Sequence, residues 1–399
     1  NHDVHRMVLS NCRFQQLVQG DVNAQVASCH VGARELVRVI ERFGLDTFER
    51  CVERMFQHGE KVVRDFVAAL PDGTYRATCH MDDNGLDDAP IRFDVVVTID
   101  GSTLHVDLGD APDAQRGPVN CPLPSTVSGA RVVLAMAAGG AHETPNEGHF
   151  RALEVITRPG SMFHPVEPQP CYLYGWPLMA AMEGLQAALS QATGGRLPSG
   201  SAADVVGILY YGVDPRTNEP FFGGSALPVG QGALPGGDGA TMFVPALAQS
   251  RVQSAELTEA KTPVLVEKWE FAPDTAGPGR FRGGSGWDLH LRLRADAMLI
   301  STIERTREPS WGQLGGLSGA PNALVVEHPD GSAETVRKAT DRPLRAGTLL
   351  RIRCGGGGGY GVPAERPVES VQRDLLHGLV TPGHVARHYP RAAKVPTPR

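Results

Sequence analysis

The sequence has no two cysteines at CxxC spacing, although seven cysteines occur among its 399 residues. An odd number of widely separated thiols argues against a disulfide framework and against a zinc knuckle. No apolar run reaches the roughly 18 residues that a membrane-spanning helix requires, and no secretion signal opens the chain. These absences predict a protein of the reducing cytoplasm that has no membrane segment.

Runs of like charge are also missing. The formal net charge of −6 is spread along the chain, so no basic stripe is available for phosphate backbones or for anionic lipid. We therefore expect neither nucleic acid nor a membrane as a partner. No GxxxxGK[ST] segment occurs, and the chain should have no ATP site of that type.

Glycine and proline, in contrast, are abundant, with 47 and 31 residues. From Val8 to Leu70 the apolar residues recur at helical spacing, which predicts two or three amphipathic helices, one of them ending at Gly44. From Ile91 to Leu108 apolar and polar residues alternate on both sides of Asp100-Gly101. This alternation around a tight turn predicts a β-hairpin.

The remaining pattern predicts an α+β fold with N-terminal helices, a central mixed region and a β-rich, mainly antiparallel C-terminal region. The glycine-dense stretch from Phe221 to Gly239 is interpreted as a loop packed against another segment. A boundary near 255–263 gives three regions, 1–70, 71–255 and 256–399, the last with a terminal helix. Further elements are expected as buried helices at 125–138 and 178–192, strands at 153–156 and 205–211, and a short helix at 368–377.

Gly356-x-Gly358-x-x-Gly361 follows an apolar strand, as a dinucleotide fingerprint would. Pro363 and Pro367 lie before the next helix, however, and no βαβ unit surrounds the motif. A glycine turn that lets backbone segments approach is therefore the favoured interpretation. Cys121, which lies next to a proline, is similarly interpreted as a buried structural thiol.

Clusters that could bind a metal are sparse. His2-Asp3-x-x-His5 has helical spacing, and the acidic patch Asp82, Asp83, Asp87 and Asp88 could hold a hard cation. The patch lacks the remaining spacing of a calcium loop, and it contains Asn84-Gly85, which favours a solvated turn. No metal ligand is assigned.

Four segments resemble the hydantoinase B/oxoprolinase family in their order and intervals: RGPVNCPL (116–123), NEGHFRALEVI (146–156), PDTAGPGRFRGGSG (273–286) and CGGGGGYGVPAER (354–366). NHDV (1–4) and QGDVNAQVA (19–27) resemble the family's opening stretch, in which a turn follows a helix. The similarity covers nearly the whole chain, and the chain is identified as a member of this family.

The resemblance implies a hydantoinase A-like partner that binds Mg-ATP and activates a small-molecule substrate by phosphorylation. It also places a divalent metal (Zn, Mn or Fe) in an N-terminal part, in motifs like HxxD and HADIGG. We expect the present chain to start after that part and to depend on it. The implied activity is ATP-dependent opening of a hydantoin, 5-oxoproline or related lactam ring. The alternatives are a ketone carboxylase of the acetone or acetophenone type and a non-catalytic scaffold subunit.

Candidate substrate-binding residues are polar groups in glycine- or proline-rich turns, where a ligand can approach closely. They are Asn120, Asn146, Arg151 and Asp238. An arginine can also stabilise a developing oxyanion or a phosphate. For each of them a hydrogen bond that only stabilises the turn stays an open alternative. The loop at 223–239 is predicted to contact a partner, because it lacks side chains to stabilise itself; no catalytic residue is assigned.

Overall fold

The computed structural model describes residues 2–12, 15–139, 144–243 and 252–394. Its internal contacts divide the chain into two units. The first unit consists of residues 1–62 and 144–151, and the second consists of residues 63–143 and 152–399.

The first unit is helical, as the apolar spacing predicted. It holds α1 (His2–Ser10), α2 (Gln15–Phe43) and most of α3 (Leu45–Ala68), together with a short 3-10 turn at Glu147–Phe150. Gly44 has a φ of +82° and donates its N–H to the carbonyl of Ile40 at 2.7 Å, which ends α2 where predicted.

The turn expected at residues 19–27 was wrong, because these residues lie inside α2. Val18, Val22 and Val26 continue the helical i, i+4 spacing through this segment. A single glycine such as Gly20 lowers helix stability by only about 1 kcal/mol and does not end the helix.

The helices of the first unit leave much of their apolar surface uncovered. The large apolar side chains exposed on α1, on α2 and at the start and middle of α3 are Val4, Met7, Val8, Val26, Val31, Leu36, Val37, Val39, Phe43, Leu45 and Met55. Uncovered apolar surface of this extent is typical of a face that contacts another protein segment.

The second unit begins with a four-stranded sheet in the order β1 (Gly73–Met81), β2 (Ile91–Asp100), β3 (Thr103–Asp107) and β4 (Leu153–Ile156). Strands β1 to β3 are antiparallel, and β4 pairs parallel to β3. The predicted hairpin is confirmed: every second residue of β2 from Ile91 to Ile99 is buried, and Asp100 pairs with Thr103.

Two helices cover this sheet. Helix α5 (Gly175–Ala192) packs on β1 and β2, and α4 (Leu123–Ala138) packs on α5. A β-carbon at Gly129 of α4 would lie 2.3 Å from a methyl group of Leu178, so the missing side chain lets the two helices approach. Both helices and strand β4 confirm their sequence predictions.

The rest of the second unit contains two antiparallel sheets around a second apolar core. One sheet has the order β12 (Ala339–Leu344), β9 (Ala297–Thr302), β5 (Val206–Asp214) and β6 (Glu219–Leu227). Because this sheet combines strands from before and after residue 255, pairing continues across the predicted boundary. The α+β class and the mainly antiparallel C-terminal region are confirmed.

The second sheet has five strands. Their order is β11 (Ala333–Thr335), β10 (Ala323–Glu327), β13 (Leu349–Arg353), β8 (Trp287–Leu293) and β7 (Val264–Phe271). Helix α6 (Ala255–Lys261) packs on β7. Helix α7 (Val368–Leu376) confirms the predicted short helix. Helix α8 (Pro382–His388) was missed, although Thr381-Pro382 is a recognisable helix start.

The prediction of a loop throughout 221–239 was wrong for its first part, which is strand β6. Gly223 and Gly224 were expected in the loop, but they pair with Tyr210 and Leu209 of β5. A β-carbon at Gly223 would lie 2.4 Å from the ring of Tyr210, so glycine here makes room for an aromatic neighbour. None of the described helices is long and apolar enough to cross a membrane.

Candidate functional site

Residues 355–359, here called the glycine strand, run through the centre of a group of backbone segments. The N–H groups of Gly357, Gly358 and Gly359 donate to carbonyl oxygens of Gly284, Gly200 and Leu317 at 2.8–3.0 Å. Their own carbonyls accept from N–H groups of Gly277, Ala233 and Gln313 at 2.8–2.9 Å. The strand is thus hydrogen-bonded to segments that are far apart in the sequence.

Gly356, Gly357 and Gly358 face three different neighbours, and Gly359, three residues after Gly356, again faces the 275–278 segment. This period is that of polyproline II backbone. A β-carbon at any of these positions would overlap a carbonyl oxygen of the facing segment, so only glycine fits. The pairs are Gly356 with Thr275 at 2.0 Å, Gly357 with Gln231 at 1.9 Å, Gly358 with Trp311 at 1.9 Å and Gly359 with Pro278 at 2.1 Å.

The interpretation of this motif as a site of close backbone approach is confirmed, but it is not a turn. Gly355 to Gly359 form a continuous extended segment, and only Gly361 in the motif has positive φ, at +72°. The N–H groups that a dinucleotide phosphate would need already donate to backbone carbonyls.

An ion network with a buried centre at Arg366 and Asp374 fastens the glycine-dense loop. Arg366 pairs with both oxygens of Asp238 at 2.7 and 2.8 Å, and it also pairs with Asp374 at 2.8 Å. Asp374 accepts in turn from Arg282 at 2.9 Å. Burial alone would raise the pKa of Asp238, but the Arg366 guanidinium holds that pKa below its ordinary value.

The partner contact at 223–239 was predicted because the loop lacks side chains to stabilise itself. The ion network contradicts that premise. The loop is stabilised within the chain by Asp238 and by backbone bonds such as Gln231 N–H to the Ala240 carbonyl at 3.0 Å. Contact with a partner there stays a prediction without that physical basis.

Beside the glycine strand lies a small, partly open pocket, here called the α4–α5 pocket. Its lining contains both apolar and polar residues. The apolar lining is Val133, Met136, Met179, Met182, Pro198, Ala203 and Phe243. The polar lining is Glu183, Gln186, Ser199, Ser201, Gln231 and the backbone of Gly232. An apolar pocket with a few convergent polar groups is the usual form of a small-molecule site.

The glycine strand positions the polar side of this pocket. Ser199 donates its hydroxyl to the Gly359 carbonyl at 2.8 Å, and its N–H donates to the Ala233 carbonyl at 2.9 Å. The Gln231 carbonyl, which Gly357 faces, accepts from Gly284 N–H at 2.7 Å. Ser199 and Gln231 are therefore held by hydrogen bonds to this backbone assembly.

Among the described residues, Glu183 is the one carboxyl group that lines the pocket. It accepts the Ser201 hydroxyl at 2.6 Å and the Ser201 N–H at 3.1 Å. Burial raises the pKa of Glu183 above its ordinary value of 4.5, against the opposing effects of Arg305 and Ser201. A carboxyl group with a raised pKa at the wall of a pocket holds its proton to higher pH than an ordinary glutamate and can transfer it.

Sequence reasoning missed Glu183 and Ser201. Glu183 is the one charged residue in the apolar segment 178–192, which was interpreted as a buried helix. A charge at a buried helical position requires a partner or a function, and that signal was available. The partner Ser201 could not be found from spacing, because a turn and a loop separate the two residues.

A second buried polar cluster joins the end of β1 to segments after β9 and before β12. Glu304 accepts the Asp82 N–H at 2.8 Å and pairs with Lys338, which also lies 3.3 Å from Asp83. Burial raises the pKa of Glu304 to about 7, although Lys338 opposes the shift. This cluster is hydrogen-bonded throughout and does not line the α4–α5 pocket.

The solvated turn predicted for the acidic patch was wrong for Asp82 and Asp83, which are buried. Lys338 and Arg337 are the counter-ions of Asp83, whereas Asp82 accepts from the N–H and hydroxyl of Thr306 and from the N–H of Arg307. The turn itself is present, since the Asn84 side-chain oxygen accepts the Leu86 N–H at 2.9 Å.

One H-x-x-D spacing occurs in the chain, from His80 to Asp83, but the two side chains have separate partners. His80 contacts Glu308 at 2.7 Å, whereas Asp83 contacts Arg337 at 3.0 Å. Within the described ranges no group of three or more His, Cys, Asp or Glu side chains is placed to hold a metal ion. The residues present therefore do not fit the divalent metal that the family resemblance implies.

Of the four predicted site residues, Asn120 and Asp238 lie in the second unit. Asn120 is fully buried, accepts from the Gln115 N–H at 2.6 Å and donates to carbonyls including Pro170 at 2.8 Å. Both ends of its side-chain amide are hydrogen-bonded inside the chain. Neither residue lines the α4–α5 pocket. Cys121 is buried as predicted, and burial raises its pKa to about 12.

Asn146 and Arg151 lie in the first unit. Asn146 caps the 3-10 turn by accepting the Gly148 N–H at 2.9 Å, and it donates to the Met55 carbonyl at 3.2 Å. Arg151 pairs with Glu60 at 3.2 Å. These contacts stabilise the unit, and a role in binding substrate stays a prediction for all four residues.

Sequence comparison gives a consistent set of relatives. A model of the hydantoinase B/oxoprolinase family matches residues 1–363. The chain is 29% identical to a candidate D-/L-hydantoinase B-type subunit of Pseudomonas sp. (strain NS671), over 96% of this chain and 66% of that protein. It is 30% identical to the caprolactamase beta subunit of Pseudomonas jessenii, over 95% of this chain and 67% of that protein. The chain thus spans about two thirds of the length of these relatives.

Solved structures agree in fold. The ATP-dependent caprolactamase from Pseudomonas jessenii superposes with a TM-score of 0.85 at 27% identity, over 98% of this chain and 69% of that chain. A nucleotide-free acetone carboxylase superposes with a TM-score of 0.86 at 18% identity, over 98% of this chain and 58% of that chain. At 18% identity the second match shows a shared fold only.

Proposed function

The chain belongs to the hydantoinase B/oxoprolinase family, and we propose that it is the B-type subunit of an ATP-dependent enzyme that opens a cyclic amide ring. The two relatives described above are a hydantoinase subunit and a caprolactamase subunit, and both names denote action on cyclic amides. The observation that carries the proposal is the α4–α5 pocket, which combines an apolar wall with the proton-holding group Glu183.

The proposal includes a hydantoinase A-like partner that binds Mg-ATP and activates the amide oxygen by phosphorylation. The chain's lack of a GxxxxGK[ST] segment is consistent with ATP bound elsewhere. The exposed apolar side chains on α1, α2 and α3 support contact with another protein segment, either the partner or an N-terminal part of the same family subunit. We also keep the cytoplasmic setting as part of this proposal.

The divalent metal stays with that N-terminal part in the proposal, since the described residues do not fit one. This chain contributes the substrate pocket and a proton carrier. During ring opening a water oxygen bonds to the activated amide carbon, the carbon–nitrogen bond breaks and an acyl phosphate remains. A second water then cleaves the acyl phosphate to the carboxylate and inorganic phosphate. Glu183 takes the proton from the attacking water and gives it to the leaving ring nitrogen.

The test is co-expression of the chain with its A-type partner and the N-terminal part, followed by measurement of ADP release. Hydantoin, 5-oxoproline and caprolactam form one set of substrates, and acetone or acetophenone with bicarbonate forms the other. We expect ADP release with a cyclic amide. ADP release only with a ketone and bicarbonate would support the carboxylase alternative, and release with neither set would support a scaffold.

A variant pair connects the activity to this chain. We expect Glu183→Gln to lower the ring-opening rate by about 100-fold or more, because positioned acid–base groups typically contribute that much. Glu154→Gln is the control, since Glu154 is an exposed carboxylate on β4 outside the pocket. Equal rates for both variants would remove Glu183 from the mechanism.

A further inference from the structure

The orientation of the Gln186 side-chain amide is set by two backbone partners. Its nitrogen donates to the carbonyls of Pro198 and Ser199 at 3.0 and 3.3 Å. The oxygen Oε1 must therefore point the other way. None of the residues that the structure describes donates a hydrogen bond to Oε1, and the side chain lines the α4–α5 pocket. Gln186 thus presents an unused acceptor.

Gln231 shows the opposite arrangement. Its side-chain oxygen accepts the Ala240 N–H at 3.1 Å, which assigns the nitrogen Nε2 to the other side. Across the described part of the chain, no acceptor contacts Nε2. Gln231 also lines the pocket, and its backbone is held by Gly284 and Gly357. It therefore presents an unused donor at a fixed position.

We propose that these two groups recognise the two polar atoms of a lactam, so that Gln186 Oε1 accepts the ring N–H and Gln231 Nε2 donates to the ring carbonyl. This inference rests on the proposed function and names its substrate class. In a small ring the amide is locked cis, and its N–H and C=O lie on the same edge. The aliphatic part of the ring then packs against Met179 and Met182.

The same pair of groups discriminates against ketones. A cyclic ketone has the carbonyl but no N–H, so binding it would remove Gln186 Oε1 from water without a replacement donor. A polar group that a bound ligand covers without pairing it is costly, and sites built for a hydrogen-bonding substrate reject the analogue that lacks the group. Ser201 and Glu183 do not supply the missing donor to Gln186 Oε1, because the Ser201 hydroxyl and the Glu183 carboxyl are hydrogen-bonded to each other.

The experiment measures binding of three ring probes of similar size to the purified full chain by calorimetry. The probes are δ-valerolactam, N-methyl-δ-valerolactam and cyclohexanone. We expect the lactam to bind about tenfold tighter than either of the others, the amount expected for one hydrogen bond left unmade. Equal affinities for the three probes, or no measurable binding of any, would overturn the inference without any mutation.

Variants then assign the atoms. Gln186→Leu should bring the affinity for δ-valerolactam down to that for its N-methyl analogue, and Gln231→Leu should weaken lactam and ketone equally. Gln191→Leu is the matched control, because Gln191 lies on the same helix and bonds to the Arg76 carbonyl outside the pocket. Unchanged lactam preference in Gln186→Leu, with a melting temperature like that of the control, would exclude Gln186.

Failure here is distinguishable from failure of the proposed function. If the complex releases ADP with a lactam while the glutamine variants keep full discrimination, the family function stands and this recognition mode is wrong. If the probes bind as expected but no cyclic amide stimulates ADP release, the pocket assignment stands and the reaction is wrong.

Discussion

The hydroxyl of Ser201 donates to the Glu183 carboxyl at 2.6 Å, and both side chains are buried at the wall of the α4–α5 pocket. Glu183 is in helix α5, whereas Ser201 follows a loop that Gln186 fastens through the carbonyl of Pro198. The contact therefore connects the helical layer to the glycine-rich backbone assembly. The pKa of Glu183 therefore depends on the position of Ser201 as well as on helix α5.

The first prediction concerns the pH dependence of stability. Burial raises the folded-state pKa of Glu183, so its contribution is most favourable when the carboxyl is protonated and is lost as pH rises through that pKa. Glu183→Gln keeps the shape but cannot ionise. We expect the stability of this variant relative to the natural chain to increase as pH rises above 4.5, the ordinary glutamate value.

Urea unfolding of both proteins at pH 5 and pH 8 checks this. The difference in unfolding free energy between Glu183→Gln and the natural chain should be more favourable to the variant at pH 8. A difference that is constant with pH would mean that the Glu183 pKa is not raised.

The second prediction concerns Ser201, a positioning residue in the proposed mechanism. Its hydrogen bonds lower the pKa of Glu183, so Ser201→Ala should raise that pKa further. In the active complex the limb of the pH–rate profile that reports Glu183 should move to higher pH. A variant that loses rate equally at every pH would indicate a purely structural role, and Ser201→Thr, which retains a hydroxyl, should restore the profile.

The third prediction concerns the glycine strand. Gly357→Ala places a β-carbon 1.9 Å from the Gln231 carbonyl oxygen, and this backbone atom cannot move away as a flexible side chain could. We expect a loss of about 3 kcal/mol in unfolding free energy, the upper range for overpacking. The control is Gly383→Ala in α8, where the nearest atom to the new β-carbon is 3.8 Å away. Similar melting temperatures for the two variants would contradict the packing described here.

The fourth prediction concerns the ion network around Arg366. Arg366→Met removes the partner of Asp238 and one partner of Asp374, and the Arg366 side chain is only 2% exposed. Asp374 is buried but keeps Arg282 as a partner, and Asp238 is exposed to solvent, so we expect a loss of about 1.5–3 kcal/mol, the range for a hydrogen bond to a charged group. Arg345→Met, at an exposed pair with Asp296, should change stability by at most about 0.5 kcal/mol. Thermal unfolding of the two variants beside the natural chain gives the comparison.

Local patterns were sufficient for most elements of the fold. The alternation from Ile91 to Ile99 and the turn at Asp100-Gly101 determine a hairpin, because side chains of a strand alternate between a buried and an exposed face. The helical spacing before Leu70 and the buried helices at 125–138 and 178–192 were predictable for the same kind of reason. The four ordered glycine- and proline-rich motifs were sufficient to identify the family.

The candidate site depended on contacts between distant residues. Asn120 and Asp238 lie in segments with the composition of ligand-binding turns. Their polar atoms, however, are hydrogen-bonded to Gln115, Pro170 and Arg366. Whether a polar group is free for a ligand depends on its partners, and these can lie far away in the sequence. The acidic patch was misread for the same reason, because Lys338 neutralises Asp83 from more than two hundred residues away.

By itself the sequence determined most of the elements, the α+β class and the family, since each follows from neighbouring residues or from ordered motifs. Only the tertiary structure decided that the CGGGGGYG segment is a central strand with a different neighbour on each of three sides. Because glycine has no side chain, the spacing of glycines in the sequence predicts that backbone segments approach one another, but it does not identify those segments. The pairing of Glu183 with Ser201, and the free atoms of Gln186 and Gln231, follow from that packing.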